Sequence, residues 1–220
     1  MNVKMKNLNQ SPFVCMLIIA CLFVSCGKPD HVVNKEALAL NNQGTTVFSK
    51  VSTYKYPKDS LRIASALFGA AIQKDAAFRL AYLNQYVCLN SMKKYEESTA
   101  LCSAWLKNNP DDDTFLYNRG MLYEIGKKDT LANADYKLVA DHMSKNPLPA
   151  FDKDMANAEI DAAINRATLL MVVNKNKSAA LALLRDLKAV FPDREKVVKA
   201  YTDMVQMNRR TKIDALLGNV

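Results

Sequence analysis

Residues 95–140 read YEESTALCSAWLKNNPDDDTFLYNRGMLYEIGKKDTLANADYKLVA, and the spacing within them decides the fold. Apolar side chains recur at intervals of three and four, the period of an amphipathic helix, with no sustained alternation of the strand kind. Asn108-Asn109-Pro110 ends one helical stretch, and Asp111, Asp112 and Asp113 supply a cap and favourable negative charge for the next. Ser98 and Ala132 are both small and stand 34 positions apart; four places after each come Cys102 and Tyr136, and three further on Trp105 and Val139. A small side chain lets two helices approach, and the larger residue a turn later fills the adjoining gap.

The same register extends in both directions. Ala64, Phe68 and Ala71 stand one period earlier; Ala180, Leu184 and Leu187, closed by Pro192, stand in phase further on. Other helix breaks fall at Pro57, at Asn146-Pro147-Leu148-Pro149 and at Phe191-Pro192, which predicts eight or nine helices joined by short turns. Together with Gly120 and Tyr123 in the first helix of one unit and Pro110 closing the unit before it, the pattern resembles tetratricopeptide repeats at residues 45–78, 79–112 and 113–146. A fourth unit begins at Asp161, after fourteen inserted residues, 147–160. The resemblance implies an all-α fold, a right-handed α-solenoid of antiparallel helix pairs with three to four repeats. No single pair buries its apolar face alone, and stacking buries it on both sides.

The departures carry expectations of their own. Gly44, Thr45-Thr46 and Pro57 make the front of the first unit atypical, so residues 34–54 are expected as a capping helix. Tyr82 stands where the family has Trp and Tyr86 where it has Gly, which predicts a second unit opened slightly wider. Residues 193–217 read as one long amphipathic helix, with Val197, Tyr201, Met204, Ile213 and Leu216 apolar, placed to cap the last pair.

The N-terminus belongs to something else. Lys4 and Lys6 precede an apolar run from Pro12 to Val24 that ends in Ser25 and Cys26, the layout of an export signal and too short to span a bilayer. Phe23-Val24-Ser25-Cys26 resembles a bacterial lipobox with Phe in place of the usual first Leu. Ile18-Ile19-Ala20-Cys21 fits that pattern residue by residue, but leaves Leu22, Phe23 and Val24 on the mature end; Cys26, followed by the polar Gly27-Lys28-Pro29-Asp30, is preferred. The resemblance implies a signal peptide at 1–25, a lipidated tether at 26–33 and a repeat domain at 34–220. It also implies acylation of Cys26 and a lipid-anchored place in the cell envelope. With Gly27 instead of Asp after the cysteine, that place is the outer membrane, facing the periplasm.

Composition narrows the function. The chain has 220 residues, 24% charged and 50% hydrophobic, with six Gly and seven Pro, an ordinary globular balance. Removal of residues 1–25 leaves 28 basic against 22 acidic residues, a net charge of +6. Arg209, Arg210 and Lys212 form the one tight basic cluster, and Lys93-Lys94 and Lys127-Lys128 fall at turns; charge so spread is a soluble surface, and no nucleic-acid partner is expected. His31 and His142 have no ligand-spaced companion, and no Gly-rich phosphate loop follows a strand, so neither a metal nor a cofactor is expected. Asp152, Asp154, Glu159 and Asp161 read as a charged helix start, not as general acids or bases, and the chain is expected not to be an enzyme. Cys88 and Cys102 lie fourteen apart on two helices of one unit, where a disulfide is geometrically allowed and a pair of buried thiols is favoured.

What remains is the concave face, which the resemblance assigns to the first helices of the pairs. It would present Leu83, Val87 and Asn90, then Tyr117, Met121 and Glu124, then Asn165, Leu169 and Val172. A surface of Leu, Val, Met and Tyr suits an apolar segment of a protein or peptide partner. Either the insertion 147–160 or the C-terminal helix is also placed to fold over it. The expected activity is therefore a membrane-anchored protein–protein interaction scaffold. The alternatives are a subunit of an outer-membrane assembly or secretion complex, and a helical-repeat binder of a small molecule or glycan.

Overall fold

The computed structural model describes residues 31–54 and 59–218; the break expected at Pro57 and Cys26, the expected lipidation site, lie outside the described residues. Among the described residues there are ten helices and no strand: α1 (Lys35–Tyr54), α2 (Asp59–Lys74), α3 (Arg79–Ser91), α4 (Tyr95–Asn108), α5 (Asp113–Ile125), α6 (Asp129–Lys145), α7 (Asn157–Val172), α8 (Lys177–Val190), α9 (Glu195–Gln206) and α10 (Arg209–Leu216). Helices pack on their neighbours in sequence order, except that α6 and α7 come into little contact and α10 packs on α7 instead of α9. None of the described helices is long and apolar enough to cross a membrane.

Local chemistry starts these helices where polar residues precede them. Asn34 accepts from the backbone N–H groups of Glu36 (2.8 Å) and Ala37 (3.2 Å) at the head of α1. Asp112 does so for Thr114 and Phe115 of α5, and Asn176 for Ala179 of α8. α3, α5 and α7 are followed by Lys93, Lys127 and Lys175, all with left-handed backbone (φ 58°, 57° and 53°), one at the same place in each hairpin. That conformation turns the chain back for the next helix but suits glycine better than lysine.

The 34-residue period becomes a contact. A Cβ added to Gly120 on α5 would lie 2.6 Å from Cε1 of Tyr136 on α6. The same substitution at Gly44 on α1 would lie 2.6 Å from Cε1 of Phe68 on α2, so Gly44 is not an irregularity of the first unit but its close-approach glycine. Of the residues expected as a capping helix, 34–54, Lys35–Tyr54 form α1, with Asn34 just ahead of it. Its register is eight positions longer than the period, which hid the correspondence. In the pair α3/α4 the sizes are exchanged: Tyr86 stands in the glycine position and the small Cys102 in the aromatic one, both buried. Exchanging the large and small partners conserves volume.

Two larger cores result. One centres on Tyr82, Trp105 and Phe115, whose ring centroids lie 5.0 to 6.3 Å apart, and runs through Tyr136 and Val139 to Leu169, Val172 and, at the far end of the chain, Ile213 and Leu217. The other joins α7, α8 and α9 through Ile160, Met171, Leu184, Leu187, Val197 and Met204. The residues expected as one terminal helix form two. The chain becomes extended at Met207 and Asn208, Asn208 caps a new helix by accepting from Thr211 N–H (2.8 Å), and α10 leaves the direction of α9. The break puts Ile213 and Leu217 into the first core and Val197 and Met204 into the second, which a single straight helix does not achieve.

Candidate functional site

The nine residues expected on the concave face divide into two groups. Leu83 and Val87 of α3, Tyr117 of α5 and Asn165 of α7 are half-buried. Asn90, Met121, Leu169 and Val172 are buried, Met121 and Val172 completely. The ninth, Glu124, is held by a residue that the sequence had shown only as part of a basic cluster. The Arg209 guanidinium at the start of α10 makes a two-pronged pair with it, Nη2 to Oε2 at 2.6 Å and Nη1 to Oε1. Its remaining Nε–H donates to the carbonyl of Val172 at 2.8 Å, closing the end of α7, and its Cζ lies 5.8 Å from the centre of the Tyr136 ring. Tyr136 Oη in turn donates to Glu124 Oε2 at 3.0 Å.

These contacts set the electrostatics of the site. Burial pushes the Glu124 carboxyl up, but Arg209 and the Tyr136 hydroxyl outweigh it and hold the group below its ordinary value. The Tyr136 hydroxyl is pushed well up, first by burial and then by the neighbouring carboxylate. Burial, partly offset by the nearby Arg79 charge, raises the Tyr117 hydroxyl to about 12. The C-terminal helix thus covers the α5–α7 part of the face, while the α3 part stays partly open, flanked by Asn84, whose amide donates to Asn41 of α1 at 2.9 Å. Beside the open part, Tyr86 Oη, both polar atoms of the Asn90 side chain and Ser98 Oγ are buried without a hydrogen-bond partner. Such groups are costly unless water joins them.

Ionic clasps fix the helices that carry the face. Arg79 of α3 forks onto Asp112 (Nε to Oδ2 2.7 Å, Nη2 to Oδ1 3.0 Å), which also accepts from Trp105 Nε1 (3.0 Å) while capping α5. Arg119 of α5 forks onto the buried Asp135 of α6 and reaches Ser103 of α4. Arg166 of α7 donates to the carbonyls of Met143 and Asn146, bridging the gap that the insertion opens after α6. At the other end, Asp75 accepts from His31 (2.8 and 2.9 Å), Asn34 N–H and Ala77 N–H, pinning the chain as it enters α1.

The other expected sites sit as follows. Cys88 and Cys102 are free and buried; burial raises the Cys88 thiol to about 12 and Cys102 further, which keeps both protonated and unreactive. His142 is tied to Asp113 of α5 at 2.6 Å, a link between the end of α6 and the start of α5. Trp105, 5% exposed, lies inside the core with its indole N–H taken, and is not available to stack on a ligand. No group of three or more potential metal ligands occurs among the described residues. Asn208 ahead of Arg209, with Ile213 and Leu217 at the fourth and eighth places after Arg209, was the signal for α10: a cap followed by a helical stripe, masked by the continuous apolar register before it.

No known family model matches this chain, and no curated protein is similar to it in sequence.

Proposed function

We propose that the chain is a non-catalytic interaction scaffold of the bacterial envelope: a right-handed tetratricopeptide-like solenoid of three to four repeats, lipid-anchored through Cys26, that receives a segment of a protein partner on its concave face. The observation that carries this reading is the half-buried strip of Leu83 and Val87 on α3, left partly open beside helices that paired arginines otherwise lock in place. An apolar strip on rigid elements suits a partner's apolar side chains better than it suits solvent.

The clasp at His31 would hold the start of the fold close to such an anchor. With lipid on Cys26, the five residues to His31 span at most about 17 Å even when fully extended, so the start of α1 and the α2–α3 turn face the membrane. A partner is then met within reach of that surface, at raised effective concentration.

The experiment is site-specific photo-crosslinking in cells. A photoreactive residue at Leu83 or Val87 is expected to capture one protein; the same probe at the exposed Leu138 on α6 is not. Leu83→Glu is expected to abolish the adduct at Val87 while leaving the helical circular dichroism unchanged. Equal capture at Leu138, or none at Leu83 and Val87, refutes the reading. Loss of palmitate labelling in Cys26→Ser but not in Cys21→Ser tests the anchor.

A further inference from the structure

α10 is a separable part of the fold. It has eight residues, fewer than the roughly 12–15 an isolated helix needs to persist in water. It hangs from α9 by Met207 and Asn208, yet its packing partner is α7. Three side chains on one helical face hold it, Arg209 and, at the fourth and eighth places after it, Ile213 and Leu217, which are 1% and 0% exposed, with the partly buried Leu216 packed beside them. Much of the rest of its surface is self-contained, with Arg210 paired to Asp214 within the helix and the Thr211 hydroxyl bonded back to Asn208.

The receiving surface belongs entirely to other helices. Glu124 of α5, braced by Tyr136 of α6, offers two carboxylate oxygens, and the last carbonyl of α7, at Val172, offers a third acceptor. Three acceptors converging on one guanidinium match the fork of arginine and not the point charge of lysine. Without a cation there, Glu124 would be a poorly solvated carboxylate in a mostly apolar cleft, so the cleft selects an occupant that begins with arginine.

We propose that α10 occupies a peptide-binding cleft in cis, and that the partner of the chain carries the same key: a short helix with an arginine followed by branched aliphatic residues four and eight places later, entering as α10 swings out about Met207 and Asn208. The proposal rests on the reading of the concave face as the binding surface, and extends it from the open α3 strip to the half that α10 covers.

The probe is a fluorescein-labelled peptide of residues 207–220, titrated by fluorescence anisotropy into the full chain. Arg209→Ala in the chain weakens the internal occupant and leaves Glu124 and Tyr136 in place. It is expected to bind the peptide at least 10-fold more tightly than the unaltered chain, the scale of a lost charge-assisted hydrogen bond. A peptide carrying Arg209→Ala is expected to bind that same variant at least 10-fold more weakly than the parent peptide. Equal affinity of the two chains, or of the two peptides, overturns the proposal. If the Arg209→Ala chain does not fold, hydrogen exchange on the unaltered chain decides. Amides of α10 must exchange at least 100-fold faster than those of α5 and α7, and exchange in one unit with them overturns the proposal. The peptide assay needs no natural partner, so its failure leaves the crosslinking result at Leu83 and Val87 standing, and the reverse holds too.

Discussion

Replacing Gly120 with Ala tests the close-approach contact that repeats through the stack. In the middle of a helix the change from Gly to Ala favours folding by about 1 kcal/mol through backbone entropy. Here the new Cβ would lie 2.6 Å from Cε1 and 2.9 Å from Cδ1 of Tyr136, both closer than real carbon atoms approach. The ring has little room to retreat, because its hydroxyl is bonded to Glu124 and the Arg209 guanidinium lies over its face. Overpacking of this kind costs about 1–3 kcal/mol, so the net expectation is destabilisation of about 1 kcal/mol. Gly69→Ala on α2 is the matched control. Its Cβ would meet only the flexible end of Gln85, at 3.2 Å, and a net gain of about 0.5–1 kcal/mol is expected. Urea unfolding followed by circular dichroism, and by fluorescence of Trp105, the chain's single tryptophan, measures both. In a Tyr136→Leu background, Gly120→Ala should turn stabilising, because the obstacle is gone. If Gly120→Ala stabilises the unaltered chain as much as Gly69→Ala does, the steric account of the repeat is wrong.

Three other perturbations follow from particular contacts. Asp112→Ala removes the fork to Arg79, the bond to Trp105 and the cap of α5 together, and a loss of about 3 kcal/mol is expected, with Asp112→Asn losing about half as much; the near-ultraviolet signal of Trp105 should change with it. Lys93→Gly relieves a left-handed backbone and should raise stability by about 0.5–1 kcal/mol in thermal unfolding, whereas Lys93→Ala, equally strained, should not. Burial pushes the Asp75 carboxyl up, but bonds from Asn34, His31 and Ala77 hold it below its ordinary value. Its contribution is therefore complete above the unfolded carboxylate range near pH 4 and lost as pH falls through the lowered value. Asp75→Asn should flatten the acid limb of the stability curve, and an unchanged limb would refute that role.

Much of the helical framework was legible in local chemistry. Asn-Pro and Phe-Pro breaks and the capping Asp residues after Pro110 placed several helix ends, the spacing at Ser98 and Ala132 placed the small residues of the packed pairs, and the burial of Cys88 and Cys102 agrees with the preference for packed thiols. Gly44 was misjudged because its partner Phe68 lies 24 positions on, where the regular period has 16, as between Gly120 and Tyr136. A longer helix shifted the spacing without changing the contact.

The face expected to bind a partner shows where a one-dimensional reading stops. Its positions followed from the resemblance to a repeat family, which says only which way a side chain is expected to point. Whether Met121 or Val172 meets solvent depends on a segment far along the chain: Arg209 and Glu124 are 85 positions apart, and no local pattern couples them. The turn at Met207 and Asn208 was obscured because the apolar stripe continues across it in register. Sequence alone determined that the chain is helical, where several helices begin and which residues are small enough for close approach, since these depend on neighbours within one or two turns. Only the tertiary structure decided that the last helix folds back between α5 and α7 and closes half of the face. That outcome rests on Arg209 finding three acceptors, and on Ile213 and Leu217 finding a core, that the chain brings together only when folded.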